Sequence, residues 1–111
     1  MLAGLSDEVL VSRFAGTTLE EYTSKTITSG DKLIDVLKGV RRDGYAVDDG
    51  EFTHGVFCVA VPILDQVGDV VAAMSCSVPK TRIELGELSA AQMIEVLRRQ
   101  ARSISEALRT R

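Results

Sequence analysis

Leu33, Ile34, Leu37 and Val40 recur at spacings of three and four, the period that gives a helix one apolar face. The spacing predicts a helix starting at Thr28 or Ser29, with Asp31 in its first turn, and ending at Asp43-Gly44, where glycine suits the left-handed cap position. A shorter helix is predicted from Ser6, a good N-cap followed by Asp7 and Glu8 at the positive helix start. Leu5 and Leu10 sit at its staple positions, and it should stop near Gly16. The polar stretch Thr17 to Thr28 between them has Tyr22 and Ile27 as its expected anchors. A last helix is expected from Glu87 to Leu108, with Ile94, Leu97, Ala101, Ile104 and Leu108 in one stripe. Its opposite face carries Glu95, Arg98, Arg99, Arg102 and Glu106.

Between the helices the period changes. Tyr45 to Val47 reads as a short strand and DDGE as a turn. Val56 to Leu64 reads as a longer strand, returning as Val70 to Val78 through the loop Asp65 to Asp69, whose Gly68 accepts positive φ. On the longer strand Phe57, Val59, Val61 and Ile63 make a bulky face. Val56, Cys58, Ala60 and Pro62 make a smaller one with room above it. The order, ααββββα or near it, with a hairpin at its centre gives an α+β domain with an antiparallel sheet and a long C-terminal helix. Three or four strands leave open edges that invite pairing.

At 111 residues, 45% of them hydrophobic and 26% charged, the chain is one globular domain. It shows no apolar run of membrane-spanning length and no signal peptide. Its two cysteines read as reduced thiols, and a cytoplasmic location is expected. One histidine and two cysteines without CxxC or HxxxH spacing do not furnish a metal site, and no cofactor is called for. The net charge of −3 argues against direct nucleic-acid binding. Arg41–Arg42, Arg98–Arg99–Arg102 and Arg109–Arg111 read as solvated residues near helix ends.

Candidate chemistry gathers in GYAVDDGEFTHGVFCVAVPILD, residues 44–65, which holds Asp48, Glu51, His54 and Cys58 at the approach to an apolar strand. Charged groups entering a core need partners, so the cluster marks either a small polar pocket or a satisfied turn. Ser75 and Ser77 lie two apart on the returning strand. With Cys58 and Asp48 they could hold a small anionic ligand. Each residue also has a structural reading: Cys58 as a small buried hydrophobe, Asp48 as a turn cap, the serines bonded to each other or to main chain, His54 solvated. Register decides between these readings. A three-residue turn opposes Asp65 to Asp69 and Cys58 to Cys76, which puts the serines on the face away from Cys58. A one-residue bulge, for which Pro62 is a natural site, restores them to a common face. An enzyme with Cys58 as nucleophile and His54 as base is disfavoured, since an apolar setting makes a thiol inert.

Gly44, Asp48, Glu51 and Cys58, followed by Val59, Ala60, Ile63, Leu64 and Asp65, resemble the signature of the IclR family of bacterial transcription regulators. TITSGDKLIDVLKGVRRDGYAVDD before it and GDVVAAMSCSVPKTRI after it resemble the family's flanking segments, with Leu64 where an aromatic is common. The resemblance implies a GAF-like fold, with residues 1–111 a partial effector-binding domain that lacks the winged helix-turn-helix and the first strands of the sensor. It implies a small carboxylic or oxo acid as effector, contacted by Asp48, Cys58, Ser75 and Ser77, and no catalytic activity. DNA would be bound only through the winged helix-turn-helix, and no membrane is involved. Such regulators work as dimers or tetramers, which makes oligomerisation through the last helix and the sheet edge a second expectation. A purely structural oligomerisation module is the alternative to a sensor.

Overall fold

The computed structural model describes Met1–Arg109; Arg111, counted above among the basic residues, lies outside the described residues. A single helical turn at Leu2–Gly4 precedes α1 (Asp7–Phe14) and α2 (Gly30–Asp43). The strands β1 (Ala46–Asp49), β2 (Val56–Leu64) and β3 (Val70–Pro79) follow, then α3 (Lys80–Glu84) and α4 (Ala90–Arg109). The sheet is antiparallel in the order β1-β2-β3, so the expected α+β class holds with three strands. No described helix is long and apolar enough to cross a membrane.

Local chemistry sets the helix ends. The Val9 N–H donates to Ser6 Oγ at 3.3 Å and the Lys32 N–H to Ser29 Oγ at 3.3 Å, so both predicted caps are in place. Gly44 takes φ +79° and donates its N–H to Val40 O at 2.8 Å, closing α2. The C-terminal helix starts later than Glu87 because Ser89 caps it. The Gln92 N–H donates to Ser89 Oγ at 3.1 Å, and the Ser89 N–H donates back to Gln92 Oε1 at 2.9 Å. β1 extends through Asp48 and Asp49, which the sequence places in a turn, because they pair with Cys58 and Phe57.

Burial divides the apolar side chains into two groups. Phe57, Val59, Val61 and Ile63 of β2 pack with Met93, Leu97 and Ala101 of α4, and Val59 is wholly inaccessible. Leu10, Ile34 and Leu37 form a second cluster between α1 and α2. Arg41 ties that unit together: its Nε donates to Ala3 O at 2.9 Å, its guanidinium also reaches Leu5 O, and it pairs with Asp7 at 2.8 Å. The Asp7 carboxyl sits below the usual carboxylate range because of that hydrogen bond to Arg41. The whole is a slab of 44 × 41 × 18 Å. Its radius of gyration, 15.2 Å, exceeds the about 13 Å of a compact domain of about 100 residues. One face of the sheet is sealed by α4, and the other is only partly covered.

Two expectations need correction. Tyr22 is no buried anchor: it is exposed and lies against the Phe52 ring, centroids 4.8 Å apart. The polar segment is held instead by hydroxyls, Thr23 Oγ1 donating to Gly50 O at 2.6 Å and Thr26 Oγ1 to Glu51 O. The α4 stripe is also not uniformly covered. Leu97 and Ala101 are buried, whereas Ile104 and Leu108 are exposed, because Ser105 Oγ already reaches Leu64 O at the end of β2 and the helix overhangs beyond it.

Gly30 opens α2 where the chain passes closest to itself. Its N–H donates to Thr17 O at 2.9 Å, and an added Cβ would collide with the Phe14 carbonyl oxygen and Thr17 Oγ1. Gly30→Ala should therefore lower unfolding stability by about 1–3 kcal/mol, the usual cost of overpacking. A lowered urea midpoint is the expected reading, and an unchanged one would refute the close approach.

Candidate functional site

The β2–β3 hairpin decides which side chains share a face. The Asp65 N–H donates to Asp69 O at 2.9 Å, as the three-residue turn requires, and Leu64 faces Val70. Ile63, however, faces Ala72, so Val71 is an extra residue on β3. The bulge is therefore real but lies at Val71 rather than at the expected Pro62. From there on Pro62 faces Ala73, Ala60 faces Ser75 and Cys58 faces Ser77. On the other side of β2, Cys58 faces Asp48 and Ala60 faces Ala46. Opposed residues point the same way, so Asp48, Cys58 and Ser77 form one row across the sheet, with Ala46, Ala60 and Ser75 in the next.

Pro62 has a different role. The Gly50 N–H donates to Val56 O at 2.9 Å, so in the alternating antiparallel pattern the even-numbered residues of β2 turn their main-chain groups toward β1. β1 ends at Ala46, opposite Ala60, and Pro62 comes just past it. Its missing N–H costs no ladder bond there.

A cleft of about 440 Å³ separates α2 from this face, with Leu37 and Val40 on one wall and Asp48, Glu51, Cys58 and Ala60 on the other. The structure thus brings Asp48 and Cys58 into one cleft. Ser75 and Ser77 share their face but stand exposed on β3, outside the cleft lining. Asp48 is half-buried and also caps the turn, since its Oδ1 accepts the Glu51 N–H at 2.8 Å. The capping role leaves its Oδ2 without a protein partner among the described residues. Cys58 Sγ is turned to Val59 O at 3.8 Å. His54 is exposed in the turn, and no hydrogen bond joins it to Cys58 among the described residues.

Glu51, part of the sequence cluster but not among the expected effector contacts, also belongs to the site. It lines the same cleft, and its carboxyl is pushed above the ordinary range, first by burial and then by the charges of Asp48 and Asp49, with Lys32 opposing. Its neighbour Asp49 has the opposite fate. Lys80 Nζ donates to Asp49 Oδ2 at 2.9 Å, which holds that carboxyl below the usual range, and the same ammonium lies 4.9 Å from the Phe57 ring centre. Among the described residues no three His, Cys, Asp or Glu side chains come together to ligate a metal ion. The arrangement offers an acceptor carboxylate, a thiol and two hydroxyl donors over a small-residue floor, which is equipment for holding a small polar molecule.

The family model described as bacterial transcriptional regulator IclR, C-terminal, matches residues 1–106. The HTH-type transcriptional repressor AllR of Escherichia coli K12 is 39% identical over 108 residues, covering 97% of this chain and 39% of AllR. The chain thus spans well under half the length of that relative. The crystal structure of the C-terminal domain of E. coli KdgR superposes with a TM-score of 0.82 at 34% identity, covering 96% of this chain and 64% of that one. A double mutant of the PobR inducer-binding domain of Acinetobacter, in complex with 3-hydroxybenzoic acid, gives 0.82 at 29% identity, covering 94% and 61%. Sequence and fold agree, and the chain belongs to the IclR family of bacterial transcriptional regulators, matching its C-terminal domain.

Proposed function

We propose that this domain senses a small carboxylic or oxo acid on the face built from Asp48, Cys58, Ser75 and Ser77. The observation that carries the reading is the bulge at Val71, which aligns Cys58 with Ser77 and Ala60 with Ser75. Support also comes from the PobR inducer domain, whose bound molecule is a hydroxylated carboxylic acid. Charge orients the ligand. Asp48 and Glu51 repel an anion, so the effector carboxylate belongs on the Ser75 and Ser77 side, with a hydroxyl or hydrated carbonyl donating to Asp48. Binding would shift the quaternary equilibrium of the regulator by differential affinity. The Cys-enzyme reading gains no support, since His54 is exposed and no hydrogen bond joins it to Cys58 among the described residues.

A thermal-shift panel of small oxo-, hydroxy- and aromatic acids on the folded chain tests this sensor reading. At least one acid should raise Tm, and Ser77→Ala should weaken it by about 1.5–3 kcal/mol, the worth of a hydrogen bond to a charged group. No response to any acid, from a chain with intact circular dichroism, would refute it.

Glu51 predicts a pH dependence. Its folded-state pKa is raised, so between the ordinary carboxylate value and the raised one the native state holds more protons than the unfolded state, and stability falls as pH rises. Below the ordinary value the penalty is gone. Glu51→Gln should therefore be more stable than the parent at neutral pH, with the gap closing toward pH ~4.5. Paired melting curves across that range check it; a constant gap would show that the Glu51 carboxyl is not perturbed.

We further infer self-association. β3 carries no charged side chain, is the outer strand of the sheet and pairs with none of the other described strands on that side; Val96, Ile104 and Leu108 are exposed on α4. Leu97 lies in the chain's own core, so the informative change is Ile104→Glu. Light scattering should show a smaller particle for that variant with an unchanged fold, and an unaltered mass would exclude the overhanging part of α4 from the interface.

A further inference from the structure

A second cleft, between α4 and the hairpin end of β2, has a distinct chemistry. Arg98, Arg102, Ser105 and Arg109 follow one another along α4 at spacings of four, three and four, which places them on one helical face. That face and the β2–β3 hairpin enclose a cleft of about 540 Å³, floored by Pro62, Leu64 and Ala101. The volume lies within the roughly 300–1,000 Å³ of small-molecule sites. Arg98 is committed, donating to Asp43 O and lying 5.3 Å from the Tyr45 ring centre. Arg41, Arg42, Arg82 and Arg99 each have a carboxylate partner. Arg102 and Arg109 line the cleft with no ion pair to any described residue. Asp65, an acid at the cleft, forms no ion pair with them: its Oδ1 accepts the Val67 and Asp69 N–H groups at 3.0 and 2.9 Å in the loop.

We propose that this cleft binds an organic dicarboxylate, one carboxylate at Arg102 and the other at Arg109, its apolar spacer lying on Pro62, Leu64 and Ala101. Seven residues of helix separate the two arginines by roughly 10 Å along the axis, a separation that an anion with a carboxylate at each end can span. A guanidinium meets a carboxylate through paired hydrogen bonds, and the apolar floor favours a hydrocarbon spacer over a hydrated polyanion. The proposal is independent of the sensor reading, because none of the Asp48-row residues lines this cleft.

The test is an amide chemical-shift titration of the isotope-labelled chain with α,ω-dicarboxylates from succinate to azelate. Butyrate, octanoate and inorganic phosphate at matched ionic strength are the other arms. Saturable shifts are expected at Gly44, Gly68 and Ser105, tightest for one of the longer diacids. Arg102→Ala and Arg109→Ala should each weaken that diacid about tenfold or more, the lower end of what a charge-assisted hydrogen bond supplies. Arg13→Ala, an exposed arginine on α1, should leave the affinity unchanged. Equal affinity for monoacids or phosphate, or indifference to the Arg102 and Arg109 substitutions, would overturn the proposal.

Discussion

The packing of the odd-numbered residues of β2 on α4 is the constraint on which the rest of the structure depends. Phe57, Val59, Val61 and Ile63 are all buried, each contributing about 1.5–3 kcal/mol relative to exposure. A slip of one residue would expose all four, far more than any polar rearrangement could offset. Strand geometry then leaves Cys58, Ala60 and Pro62 no choice of face. The candidate site's floor is a by-product of the core behind it.

The turn between β1 and β2 shows how three neighbouring carboxylates acquire different properties from their surroundings. Asp48 spends one oxygen on a main-chain N–H, and Asp49 is neutralised by Lys80. Glu51 is half-buried with no ion pair among the described residues, so burial makes it hold a proton more readily than a free glutamate. It lines the same cleft as Asp48 and Cys58. The neighbouring Thr23 and Thr26 hydroxyls hold the turn through its carbonyls, which fixes these carboxylates in space without cancelling their charge.

Most of the fold was legible because strong local signals agreed with the global packing. Ser6, Ser29 and Gly44 cap the helices as their chemistry demands, and the alternation of β2 names its buried face residue by residue. What escaped was non-local. The bulge at Val71 has no mark in the sequence, because Val71 resembles its neighbours and only the fixed hairpin loop together with the buried β2 face forces it out of register. Tyr22 resembles an anchor by type, but the nearest large side chain, Phe52, is itself exposed. Glu51 was visible as part of the family signature, yet its surroundings are non-local, with Thr23 and Thr26 bonded to its carbonyl and α2 residues across the cleft, which spacing does not reveal. The α3 turn and the late start of α4 were hidden for a simpler reason: Ser89 is an ordinary residue until Gln92 returns its hydrogen bond.

Pro62 has a consequence beyond its own position. On the β1 side, past Ala60, β2 offers no N–H at residue 62, and Leu64 O already accepts from Ser105. An incoming strand would find fewer ladder partners there. The opposite flank, β3, has a full row of uncharged residues and no proline before Pro79. Extension of this sheet is therefore easier on the β3 side. A strand joining beside Ser75 and Ser77 would wall the polar row.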